Sequence, residues 1–242
     1  MKACLCLFAV VLSALAPVAV CAPAAEHLAA ETKAEVPELF EFHEVIFRIW
    51  HEAWPAKDTA LLASLLPEVE KGAAQVAAAE LPGILREKKT DWAAGVEKLN
   101  ASVAAYRAAV ERKDDPALLG AAEDLHRHFE GLVRVIRPVT KEIGAFHEAL
   151  YPLYHYHLPA MDVAAIRADA KALAERVAAV DQAAAPQRLA PEKKGAFEEA
   201  RARLSASVAA LQPVVAGDDQ EKIRAAVEQV HSDYVKLEAV FD

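Results

Sequence analysis

One stretch of this chain is written twice, and the repeat constrains the fold more than any other feature. Residues 42–58 read FHEVIFRIWHEAWPAKD, and residues 146–162 read FHEALYPLYHYHLPAMD. Phe42, His43, Glu44, His51, Pro55 and Asp58 thus return as Phe146, His147, Glu148, His155, Pro159 and Asp162. The likeness extends further along the chain. LNASVAAYRAAVERKDDPALLGAAEDLH lies over LSASVAALQPVVAGDDQEKIRAAVEQVH, with His126 over His231. A period of roughly 104 residues is too long for a solenoid repeat and suits duplication of a whole helical bundle.

Alanine is abundant and glycine scarce, and apolar residues recur at intervals of three and four, which is helical spacing. Pro55 and Pro159 read as helix stops, with Asp58 and Asp162 placed to cap the next helix. The first repeat then holds helices over 38–54, 59–79, 90–112 and 116–137. The second holds them over 140–157, 162–183, 191–215 and 219–241. ELPGILREKKTD and QAAAPQRLAPEKK are the longer loops. The expected fold is all-α: two tandem antiparallel up-down-up-down four-helix bundles, over residues 38–137 and 138–242.

Residues 1–24 carry the marks of an export signal. Lys2 is followed by the apolar run LCLFAVVLSALAPVAV, and the small residues of CAPAAE suit cleavage between Ala22 and Ala25. Residues 25–37 are then a leader, with His27 in it. All three cysteines, Cys4, Cys6 and Cys21, lie in the signal. Val20 before Cys21 disfavours lipid anchoring there, where a small residue is wanted. Without these cysteines the mature chain has no disulfide, no thiolate metal site and no C-x-x-C-H for covalent haem. The net charge of -9, with no basic patch, argues against nucleic acid. No second apolar run is long enough to span a bilayer, so a soluble periplasmic or secreted protein is expected.

On a wheel of 100° per residue, His43 and His147 fall in the middle of the apolar arc of the first helix of each repeat. Both are expected to be buried. His51 and His155 fall at the boundary, in line with Glu44 and Glu148. The fourth helices carry Glu123-x-x-His126 and Glu228-x-x-His231, a spacing that projects both side chains from one side of a helix. Antiparallel packing brings His51 level with His126. Two candidate metal sites follow: His51, Glu123 and His126, and their copy His155, Glu228 and His231. Two imidazoles and a carboxylate suit zinc, copper(II), nickel or iron(II). His43, Glu44, His147, Glu148 and His157 are expected as supporting partners or additional ligands.

The competing reading makes these histidines packing elements hydrogen-bonded to Glu or Tyr, in a structural or interaction module of the cell envelope. A di-iron carboxylate centre is disfavoured, because each bundle has one Glu-x-x-His and no evident inward carboxylate on its second and third helices. Hydrolysis at an open two-His-one-carboxylate metal is allowed by the chemistry. No nucleophile pattern or phosphate-binding loop marks an enzyme, and a non-catalytic role is expected.

Helix count, export signal and inward ligands together resemble exported four-helix-bundle metal- or haem-binding proteins, such as the cytochrome b and cytochrome c-prime kind. That resemblance implies a bundle core holding an ion or a noncovalent haem b, the latter as an electron carrier. The chain departs from the cytochrome c-prime pattern by lacking C-x-x-C-H, and from the b-type Met/His pair by having His at both inward positions. Haem ligation by His51 with His126, or His43 with His126, stays open. The adjacent Glu123 favours a bare ion.

Overall fold

The computed structural model describes residues 22–186 and 189–241. The three cysteines and the apolar run of the expected export signal lie outside them. The described residues are helical, with no strand among them. Helix α1 (Ala22–Glu31) overlaps the end of the expected signal and the first part of the expected leader, and includes His27. It is followed by α2 (Pro37–Arg48), a π-helical turn (Ile49–Ala53) and the single turn α3 (Trp54–Ala56). Next come α4 (Thr59–Ser64), α5 (Leu66–Ala78), a 3₁₀ turn (Gly83–Lys88), α6 (Lys89–Arg112) and α7 (Asp115–Ile136). The second half runs through α8 (Lys141–Pro152), a π-turn (Leu153–His157), α9 (Leu158–Ala160) and α10 (Val163–Gln182). It ends with a 3₁₀ turn (Pro191–Lys193), α11 (Lys194–Ala216), α12 (Gln220–Glu238) and a last 3₁₀ turn (Ala239–Phe241).

Helix starts obey local chemistry. Asp58, Asp114, Asp162 and Asp219 each accept a hydrogen bond from the backbone N–H three residues on, and Thr140 does so through its hydroxyl. Each satisfies a donor the first turn would otherwise leave bare. The stops differ from the sequence reading. Pro55 and Pro159 do not end their helices. The chain continues to Lys57 and Met161, which take left-handed conformations with φ of 54° and 49°. There Asp58 N–H donates to the carbonyl of Ala53, and Asp162 N–H to that of His157, the wrap-back pattern of a helix C-terminus. The prolines are accommodated because a π-turn precedes each. A proline ring would clash with the carbonyl four residues back, and a widened turn moves that carbonyl aside.

Two hydrophobic cores form. In the first, α2 packs on α5, α5 on α6, α6 on α7, and the π-turn at 49–53 returns to α7. Phe42, Ile46, Leu62, Val69, Tyr106, Leu125 and Phe129 fill it. In the second, α8 packs on α10, α10 on α11, α11 on α12, and the π-turn at 153–157 reaches α12. Phe146, Leu150, Ile166, Leu204, Val230 and Tyr234 fill that one. Tyr151 of α8 crosses over and joins the first core.

The crossing depends on the segment 83–88, read from sequence as loop. It forms a 3₁₀ turn with Ile84 and Leu85 buried, and it packs against α8. Gly83 is required for this approach. A Cβ at that position would lie 1.8 Å from the Tyr151 hydroxyl and 1.9 Å from a Glu31 oxygen. Lys88 Nζ lies 3.9 Å from Glu238 Oε2, and Tyr151 donates to Glu31 at 3.0 Å. The first half therefore lays a polar turn on the second.

Candidate functional site

Each half assembles three histidines against aromatic rings. In the first half, His126 of α7 lies flat on Trp50, with centroids 4.1 Å apart and planes within 6°. His43 stacks on Phe129 at 5.7 Å, and His51 lies 4.6 Å from Phe47. In the second half, His231 lies flat on Tyr154 at 3.7 Å and 5°. His147 stacks on Tyr234 at 4.5 Å, and His155 lies 4.7 Å from Tyr151. These three histidine–aromatic contacts of one half each have their counterpart in the other.

The halves differ in what covers them. His43 and His51 are exposed and His126 is half-buried. Phe47 beside them is 47% exposed. Its counterpart Tyr151 is buried, because the 83–88 turn lies on it. The expectation of a buried His43 is thus corrected: among the described residues, no turn of the first half does for it what the 83–88 turn does for the second-half rings. His126 and His43 remain electrostatic neighbours. Burial lowers the His126 pKa first, and the charges of His51 and His43 lower it further against the opposing pull of Glu130.

In the second half the turn supplies two charged groups. Glu87 Oε1 lies 3.1 Å from His231 Nε2. The N–H direction is poorly aligned with the oxygen, so Nε2 gains no true hydrogen bond. Arg86 Nη1 lies 3.0 Å from His155 Nδ1, and Arg86 Nη2 donates to the Tyr151 hydroxyl. Donor atoms of Glu87, His155 and His231 all lie within 4.8 Å of one another. Ligands at about 2.0–2.1 Å from a four-coordinate ion stand roughly 3.4 Å apart, so modest side-chain movement would close the set. Two imidazole nitrogens and one carboxylate are donor types that could hold a borderline divalent ion.

The protonation states suit that chemistry. His155 is pushed down to about 4, mainly by burial, with Arg86 and His231 adding and Glu87 opposing. The His231 ring holds the Glu87 carboxyl below its usual range, against the effect of burial. The ring of His155 is therefore neutral and the carboxylate ionised at neutral pH, as metal ligation demands.

The other sequence-derived candidates lie elsewhere. Glu123 and Glu228 are exposed, and Glu228 is not part of the cluster its helix neighbour His231 joins. Glu44 and Glu148 also face solvent. His157 turns to α10, where its Nδ1 lies 2.5 Å from Asp169 Oδ2. The sequence reading missed Glu87 and Arg86, because a run of charged residues in a loop reads as a solvated surface. One signal was present: the triplet Glu87-Lys88-Lys89 recurs as Glu192-Lys193-Lys194.

His147 gives a pH prediction. It keeps some accessible surface but is densely surrounded, and burial pushes it down to about 4 from the ordinary 6.5. The unfolded chain takes up this proton first as pH falls below 6.5, so native stability declines from there and levels off below about 4. The contribution of this ring is about 3 kcal/mol. Urea unfolding at pH 7.5, 5.5 and 4.5 is expected to show a smaller loss on acidification in His147→Gln than in the parent. Equal losses would refute the assignment.

No protein-family model matches the chain, and no similar curated protein or solved structure was found. The functional reading therefore rests on the residues themselves.

Proposed function

We propose that this chain is an exported metal-binding protein built as two tandem four-helix bundles that arose by duplication. Its better-formed site takes a divalent transition metal ion through Glu87, His155 and His231, for sequestration, delivery or sensing. The carrying observation is that two imidazoles and a carboxylate, from three segments far apart in sequence, converge within 4.8 Å. The matching ring contacts at Trp50–His126 and Tyr154–His231 support the duplication, as do the π-turns at corresponding positions. His51 and His126, with His43 beside them, form a more open second site on this reading.

A bare ion is favoured over haem by the donor set, in which Glu87 adds a carboxylate to the two imidazoles. Protein purified from the exported fraction should carry, or take up, one to two equivalents of zinc, copper(II) or nickel and show no Soret band. A Soret band would replace the ion with haem. A chain that neither binds nor is stabilised by added metal would leave the histidines as packing elements of an envelope protein.

A further inference from the structure

We propose that Arg86 is a tethered cation occupying the ligand side of His155, and that metal uptake proceeds by its displacement. The inference rests on the metal reading above and concerns how that site is regulated. A guanidinium only donates and stays charged at any relevant pH. His155 Nδ1, 3.0 Å from Arg86 Nη1, must therefore face it with a lone pair, so the ring proton of neutral His155 sits on Nε2. The lone pair that a metal ion would use is the one Arg86 holds.

The rest of the side chain shows how it is kept there. Arg86 Nε donates to the Gly83 carbonyl at 3.0 Å, within the same turn. Its Nη2 donates to Tyr151, and Cζ stands 5.0 Å from the centre of that ring. Three weak holds on an otherwise exposed side chain fix the guanidinium without burying it. An incoming dication meets like charge at the site and must expel Arg86 to reach Nδ1. Glu87, next in the chain, sets its Oε1 3.1 Å from His231 Nε2, so the carboxylate ligand stays when the guanidinium swings out.

Turn 83–88 thus delivers a ligand and a competitor on adjacent residues. Removing the competitor is expected to tighten binding. Zn(II) titration against a competing chelator at pH 7.5 should give Arg86→Met at least tenfold higher affinity than the parent, with Arg86→Lys between them. Circular dichroism would confirm that each variant is folded. In the parent chain, one equivalent of Zn(II) should also move the Arg86 Nε–H resonance, which tests displacement without any substitution. Equal or weaker binding by Arg86→Met would overturn the displacement idea alone, as would an Arg86 resonance unmoved by bound metal. Absence of uptake by the parent and both variants would overturn the metal reading and this inference with it.

Discussion

Phe42→Ala is expected to destabilise the first half by about 3–5 kcal/mol, the usual range for emptying a buried aromatic site. The side chain is 1% exposed and meets the edge of Phe129 with ring centroids 5.8 Å apart. It also fills the space left by Gly72, where a Cβ would sit 2.1 Å from Phe42 Cδ2. A helix backbone at that distance cannot close over the gap without moving α5. The matching substitution in the second core is Phe146→Ala, whose ring stacks with Tyr234 at 6.0 Å. Urea unfolding of both variants reads the cost and the coupling together. If the turn at 83–88 joins the halves firmly, each substitution shifts one shared transition. If not, each lowers the midpoint of its own half. A cost below about 1 kcal/mol at Phe42 would show that the core repacks.

The second large effect concerns the ion. His231→Ala is expected to weaken Zn(II) binding at the Glu87–His155–His231 site by at least about a hundredfold, more than loss of a supporting partner alone produces. Glu87→Gln keeps the shape of the side chain and removes its charge, and is expected to weaken binding at least about tenfold. His126→Ala should leave this site unchanged, because His126 belongs to the other ring cluster. The His231 ring stacks on Tyr154, so the alanine variant also loses packing. Glu87→Gln, on a turn with its side chain exposed, separates lost ligation from lost stability. Unchanged affinity in both variants would refute these ligands.

Much of the helical layout was legible because its signals are local. Asp58, Asp114, Asp162 and Asp219 cap helices through their own side chains, and alanine-rich runs with apolar residues three and four apart are helical wherever they occur. The π-turns were not legible. A wheel of 100° per residue assumes regular α-helix, and the widened turns at 49–53 and 153–157 break that assumption where His51 and His155 sit. Trp50, on the widened turn, lies flat on His126. The exposure of His43 was misjudged for a related reason: an apolar arc shows which face avoids water, not what covers it.

Sequence alone determined the helical class, the caps and the pairing of His43, His51 and His126 with His147, His155 and His231, because each depends on neighbours within a few residues or on direct comparison of the two repeats. The tertiary structure decided which carboxylate meets the histidines. Glu87 stands far from His155 and His231 in the chain and reaches them only because Gly83, lacking a side chain, lets its turn press against Tyr151. Such a contact is set by the docking of one half on the other, and no local pattern encodes it.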